Sequence, residues 1–163
     1  HIYTWPELSI VAEDPENDYI VGYALGRVEM VPRKTQSVWG VKDRPEYSGH
    51  ITSIAVEREY RGIGMANSLM TRLHEEFIEH FDVNSVSLHC RVTNRAAISL
   101  YMKKLGYQCT DRVAKYYADS EDAWVMTCDK EELIRRSEAD SSLPADGAIG
   151  GITAVEEISR PNE

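Results

Sequence analysis

The stretch EYRGIGMANSLM, Glu59 to Met70, puts an arginine and two glycines into one tight turn and starts a helix at once. Ahead of it, His50 to Val56 (HITSIAV) reads as a buried strand. Behind it, Ala66, Leu69, Met70, Leu73, Phe77 and Phe81 recur at spacings of three and four, the apolar stripe of a helix from about Gly64 to Phe81 lying on a sheet. A strand, a tight turn and a helix start bring successive backbone N–H groups and the positive end of the helix dipole to one point, which suits an anion. Glycine lets a phosphate approach backbone that a Cβ would hold off. The spacing is neither G-x-x-x-x-G-K-[ST] nor a G-x-G-x-x-G after the first strand, so the ATP and dinucleotide fingerprints both fail. On the residues alone, the turn serves equally well as a compact connection.

Working outward, residues 7–12 (ELSIVA) and 19–30 (YIVGYALGRVEM) read as a hairpin across the turn-forming cluster Glu13-Asp14-Pro15-Glu16-Asn17-Asp18. Val31 to Gly49 is polar and patternless, a functional loop or a surface insertion. On the other side, Ser85 to Val92 predicts a strand. Thr93 or Asn94 caps a helix over Arg95 to Leu105 that Gly106 stops, and two last strands cover Tyr107 to Val113 and Ala123 to Asp129. After a short helical piece (EELIRRSEA), residues 137–163 have too little apolar content to fold alone. They read as an acidic, flexible tail behind a domain spanning residues 1–136, with Ile149 to Val155 able to dock on a partner.

At 163 residues and 42% hydrophobic, the chain builds one core rather than two. It has no apolar run of about 18 residues and no signal-peptide layout at its start, so a soluble, unsecreted protein without a membrane partner is expected. Cys90, Cys109 and Cys128 are odd in number and in no C-x-x-C spacing, which suggests neither a disulfide framework nor a metal site and fits a reducing compartment. The formal charge of −9 argues against direct nucleic-acid binding. It is uneven: residues 129–163 hold nine acids against four bases, leaving the rest only mildly acidic.

Strand 85–92 alternates Val86, Leu88, Cys90 and Val92 with Ser87, His89 and Arg91, so one face is core and the other displays a polar row. That row lines a cleft or is a solvated sheet face. Histidine, with an unperturbed pKa of about 6.5, accepts a proton at neutral pH, which makes His89 the candidate general base. Arg91 orients a substrate or supports His89, and its guanidinium cannot itself act as base. His50, His74 and His80 read as ordinary residues.

Arg61-Gly62-Ile63-Gly64-Met65-Ala66 resembles the R/Q-x-x-G-x-G/A motif with which GNAT-superfamily acyltransferases bind the pyrophosphate of acetyl-CoA. Asn94 to Tyr107 (NRAAISLYMKKLGY) is similar to the family's second element, N-x-x-A-x-x-L-Y-x-x-x-G-F/Y. Together with GHITSIAV, VSLHCRVTNRAAISLY and KYYADSEDAW, the two motifs make residues 5–129 resemble the catalytic subunits of NatA-type N-terminal acetyltransferases. The resemblance implies an α/β fold with a mixed, mostly antiparallel sheet and flanking helices. It implies acetyl transfer from acetyl-CoA to the α-amino group of protein N-termini, with small residues preferred beside an auxiliary subunit and acidic ones when the chain acts alone.

The same resemblance assigns the pantetheine arm to the backbone of Ile54, Ala55 and Val56 and to Asn94, and the diphosphate to Arg61, Gly62, Gly64, Met65 and Ala66. It makes the Val56 N–H an oxyanion donor and Tyr101 the proton donor to the leaving thiolate beside the coenzyme; a core tyrosine is the alternative. Tyr116 and Tyr117 become peptide-binding residues. A large helical-repeat auxiliary subunit, ribosome association through it, and a cytoplasmic or also nuclear location follow from the resemblance, with no metal. Family members open with two helices bearing a substrate-gripping glutamate, and the resemblance implies that this chain begins just after them. The rival readings are acetylation of lysine or a small amine, and a non-catalytic CoA-binding module.

Overall fold

The computed structural model describes residues 4–31, 45–141 and 152–154. The expected hairpin is present as β1 (Ser9–Asp14) and β2 (Tyr19–Val31), paired antiparallel. Asp14 shapes its turn by accepting from the Glu16 N–H and the Asn17 side chain. β3 (Glu46–Val56) starts earlier than the expected His50 and pairs along β2, so both ends of the stretch read as a patternless loop are strand; residues 32–44 lie outside the described residues. Then follow α1 (Met65–Phe81), β4 (Ser85–Arg91), α2 (Arg95–Ser99), β5 (Gln108–Val113), β6 (Ala123–Asp129), α3 (Lys130–Ser141) and β7 (Ile152–Ala154). The sheet order is β5-β6-β4-β3-β2-β1-β7, with β3 against β4 the parallel pair. This is the mixed, mostly antiparallel sheet with flanking helices that the sequence predicts.

The apolar stripe of α1 lies on the sheet: Leu69, Met70, Leu73 and Phe77 are buried with Ile10, Ala24, Ile51, Val86 and Leu88. The approach is close because Phe77 rests on two glycines. A Cβ at Gly26 would come within 2.5 Å of the Phe77 ring, and one at Gly49 within 2.8 Å. His74, on the same helix, is buried and shares a 2.7 Å hydrogen bond with the Tyr107 hydroxyl. Burial alone pushes its pKa down to about 3, so it is a neutral core imidazole rather than a site residue.

Three expectations are corrected. The helix over Arg95 to Leu105 is α-helical only to Ser99; Leu100–Lys104 widens into a π-turn in which the Leu105 N–H reaches the Leu100 carbonyl. Gly106, at φ 76°, ends it as predicted, and Arg136 of α3 donates to the exposed carbonyls of Lys103 and Lys104. The boundary placed after residue 136 therefore falls inside α3, whose Leu133 is buried in the core. Farther along, Ile152–Ala154 pairs antiparallel with Ile10–Ala12, so the segment expected to dock on a partner instead extends this chain's own sheet. An open strand edge offers unmet N–H and C=O groups, and β7 takes them.

Gly26→Ala and Gly49→Ala are each expected to lower stability by about 1–3 kcal/mol through overpacking against Phe77. Urea denaturation of a double-mutant cycle checks the cause: with Phe77→Leu added, the cost of either alanine shrinks, whereas an unchanged cost would mean that the ring contact is not responsible.

Candidate active site

β3 and β4 are paired only from Gly49–Ile51 to Val86–Leu88. Beyond that point a bulge in β3 makes Thr52 an extra residue opposite Leu25 and Gly26, and the Thr52 hydroxyl donates to the Leu25 carbonyl at 3.1 Å. A bulge bends its strand, and here it turns β3 away from β4. The gap is a cavity of ≈ 310 Å³ with Ile54 on one wall and His89, Asn94 and Tyr101 among the others. The Glu57 N–H donates to Val21 of β2 at 2.7 Å. Because successive N–H groups of a strand alternate in direction, the Val56 N–H points the other way, away from β2, and Val56 lines the cavity at the glycine turn.

At the end of β3, Arg58–Tyr60 forms a 3₁₀ turn tied to the hairpin by a 2.5 Å hydrogen bond from the Tyr60 hydroxyl to Asp14. Gly62 and Gly64 sit at φ 78° and 93°, where other residues are strained, and nothing lies within 4 Å of where either Cβ would be. Among the described residues no side chain caps α1. Arg61 spends its Nε on the Val56 carbonyl at 2.9 Å, which fixes the guanidinium over the turn. All five residues expected at a diphosphate, Arg61, Gly62, Gly64, Met65 and Ala66, line one cavity of ≈ 290 Å³.

His89 stands on the polar face of β4, its ring stacked on Tyr116 at 4.3 Å and 5°. Its Nδ1 is buried without a hydrogen-bond partner among the described residues. Burial, reinforced by the positive charge of Arg27, lowers its pKa below the ordinary value, so the imidazole is neutral and can accept a proton. Tyr101 is only 7% exposed, and burial raises its pKa, which keeps the phenol protonated. The widened turn of α2 carries it. The Cys90 thiol is pushed up to about 11 by burial and is no thiolate nucleophile at neutral pH. Asn94 provides the predicted cap: its Oδ1 accepts from the Ala97 N–H at 3.1 Å, and the residue also lines the gap.

Arg91 has contacts that its sequence position did not foretell. Its Nη1 donates to Asp119 at 2.8 Å and to Glu121 at 2.6 Å, and the guanidinium lies 4.0 Å from the centre of the Tyr117 ring. It anchors the loop while also lining the gap beside His89. Tyr116 and Tyr117 meet edge to face at 5.1 Å, and Tyr117 lines the gap. Sequence reading missed His50, which bonds Ser87 at 2.9 Å and meets the His89 ring edge-on at 5.2 Å. The alternation of Gly49, His50 and Ile51 held the signal. It also missed Asp119 and Glu121, whose only clue was an acidic run beside the loop tyrosines. Among the described residues no three His, Cys, Asp or Glu side chains gather as a metal site, and no helix is long and apolar enough to cross a membrane.

A model of the Acetyltransferase (GNAT) family matches residues 2–107. The chain is 40% identical over 146 residues to the N-alpha-acetyltransferase daf-31 of Caenorhabditis elegans, covering 90% of this chain and 72% of that protein. It is 44% identical over 126 residues to the N-terminal acetyltransferase A complex catalytic subunit NAA10 of Arabidopsis thaliana, covering 77% of this chain and 59% of that one. Among solved structures, the NatB acetyltransferase complex bound to CoA and MES is similar with a TM-score of 0.63 and 30% identity, over 77% of this chain and 75% of that one. With a splayed strand pair, a glycine turn heading α1 and a family match over most of its sheet, the chain belongs to the GNAT acetyltransferase family.

Proposed function

We propose that this chain transfers the acetyl group of acetyl-CoA to the α-amino group of protein N-termini. The observation that carries the reading is the gap past Ile51 and Leu88, which has a neutral histidine on one wall and a protonated tyrosine on another. The glycine turn with Arg61 holds the diphosphate of the coenzyme, and the unpaired edge of Ile54 to Val56 receives its amide-bearing arm as a further strand would be received. The thioester carbonyl then lies beside the Val56 N–H, which donates to its oxygen as negative charge develops. The amine nitrogen attacks the carbonyl carbon, His89 takes the proton the nitrogen loses, and the C–S bond breaks. Tyr101 gives its proton to the departing thiolate. Tyr116 and Tyr117 flank the incoming chain end.

An α-amino group, with a pKa of about 7.7–8.0 against about 10.4 for lysine, needs only a modest base, which favours a chain terminus over a lysine side chain as acceptor. The names of the worm and plant relatives agree with that acceptor. The plant relative, a catalytic subunit of an A-type complex, supports a NatA-like preference for Ser, Ala, Thr and Gly termini in the presence of a large helical-repeat auxiliary subunit. Acidic termini are the substrates of the chain alone. Association with the ribosome through that subunit, in the cytoplasm, completes the proposal.

Steady-state assays on peptides starting with Ser, Ala, Met and Glu, and on peptides with a blocked terminus and an internal lysine, test the acceptor. Product on the free terminus is expected, and product only on lysine would refute the proposal. His89→Ala is expected to lower kcat by about 10²-fold or more while calorimetric affinity for CoA stays within twofold. A variant that keeps its turnover would remove His89 from the mechanism.

The pH profile is a separate check. His89 must be neutral, so activity falls as pH drops through its depressed pKa. Arg27→Gln removes the second cause of that depression and leaves Glu29, which acts in the opposite sense. The acid limb of kcat/KM and the NMR titration of His89 are both expected to move to higher pH. A shift to lower pH would contradict the electrostatic account.

A further inference from the structure

The segment between β5 and β6, Ala114 to Asp122, carries both site tyrosines, and its internal bonds do not explain why Tyr116 sits over His89. Its internal bonds shape it: the Lys115 N–H donates to Asp122 at 2.8 Å, the Tyr117 N–H to the Glu121 carbonyl at 3.1 Å, and the Ser120 N–H to the Tyr117 carbonyl at 2.8 Å. None of these ties it to β4. At its end the Val92 N–H donates to the Asp122 carbonyl at 3.3 Å, and farther into the segment the Glu121 side chain makes the link. One carboxylate oxygen accepts from the Thr93 hydroxyl at 2.6 Å and from the Thr93 N–H at 3.2 Å, and the other accepts from Arg91 at 2.6 Å. Asp119 adds a second arm to the same Arg91 nitrogen.

The two arms are unequal. The Asp119 side chain is 59% exposed and that of Glu121 21%, so solvent screens the first far more than the second. Only Glu121 also reaches Thr93, next to the Asn94 cap of α2. We propose that Glu121 is the positioning residue that fixes the peptide-side loop on β4, holding Tyr116 flat against the His89 ring and Tyr117 under Arg91. The role rests on the acetyl-transfer reading only for its kinetic consequence, since the contact itself is a matter of loop geometry. With the carboxylate in place, the tyrosine wall and the base are one rigid unit. Without it the loop keeps its internal bonds but swings on β5 and β6, and the peptide loses its wall while the coenzyme turn at Gly62 and Gly64 is untouched.

Two readouts on the full chain test this. Ring current from the stacked Tyr116 displaces the His89 imidazole signals, and Tyr116→Ala gives the position of an unstacked ring. Glu121→Gln, which keeps size but opposes an amide to Arg91, is expected to move the His89 signals most of the way to that position. It should raise the peptide KM at least tenfold and leave the acetyl-CoA KM within twofold. Thr93→Val and Asp119→Asn shift the same signals by smaller amounts. The proposal is overturned if Glu121→Gln leaves both the signals and the peptide KM unmoved, if Asp119→Asn has the larger effect, or if both KM values rise equally with the stack intact. Should the unaltered chain acetylate no peptide, the functional reading fails, and the imidazole signals still decide whether Glu121 anchors the loop.

Discussion

The site exists because a parallel strand pair stops after three residues on each side. Gly49–Ile51 and Val86–Leu88 hold β3 and β4 together, the Thr52 bulge turns β3 aside, and from there two strand edges face one another across a gap. Buried backbone groups left without partners cost about 1–3 kcal/mol each, so a folded chain retains such an opening only if something else holds it. Here the holding is done on the far face of the sheet. Phe77 lies across Gly26 and Gly49, next to the last paired residues, and the close seat of α1 clamps the closed half of the strand pair while the other half splays. An extended ligand with amide groups of its own completes the sheet. By mass action it should also stabilise the fold.

A net charge of −9 looks ill suited to an anionic cosubstrate, and the geometry resolves the mismatch. Attraction at the coenzyme end is local: main-chain amides of a glycine turn and one guanidinium, fixed through its Nε, act at hydrogen-bond range, where the field of distant surface acids is screened. At the peptide end the acids are already paired. Arg91 meets Asp119 and Glu121, and Arg112 meets Asp122 at 2.7 Å, so the carboxylates shape the loop instead of repelling or attracting what passes it. A formal charge count cannot distinguish charges with such partners from those without.

Much of this was readable from residue order. The two-residue alternation of β4, the three-and-four spacing of α1 and the punctuation by Gly62, Gly64 and Gly106 are local signals, and each element formed where its signal lay. Arg61, Gly62, Gly64, Met65 and Ala66 are near neighbours in sequence, so their gathering around one cavity was legible. What stayed hidden depends on register between distant segments. His50 faces the same side as His89 only because His50 is opposite Ser87, a pairing no window of sequence contains. The anchoring contacts of Arg91 were hidden for the same reason: the acids that meet it come from beyond β5. The π-turn of Leu100–Lys104 was hidden because its periodicity fits an α-helix, and only the left-handed Gly106 and the Arg136 contact favour the wider turn. β7 was missed because composition reports whether a segment folds alone, not whether an open edge recruits it.

The run His89 to Asn94 carries more of the function than its length suggests. On the proposed reading His89 would be the base; Arg91 and Thr93 receive the loop between β5 and β6, and Asn94 caps the helix that carries Tyr101 into the same gap. Acceptor wall, proton acceptor and proton donor are therefore referenced to one short piece of backbone, itself held in register by pairing of Ser85–Arg91 along β6. Such an arrangement keeps the groups that line the gap in fixed relation, the geometric condition for a direct transfer. It also separates affinity from chemistry. The glycine turn at the head of α1 is lined by residues none of which belongs to the loop between β5 and β6, so that loop can change without disturbing the turn.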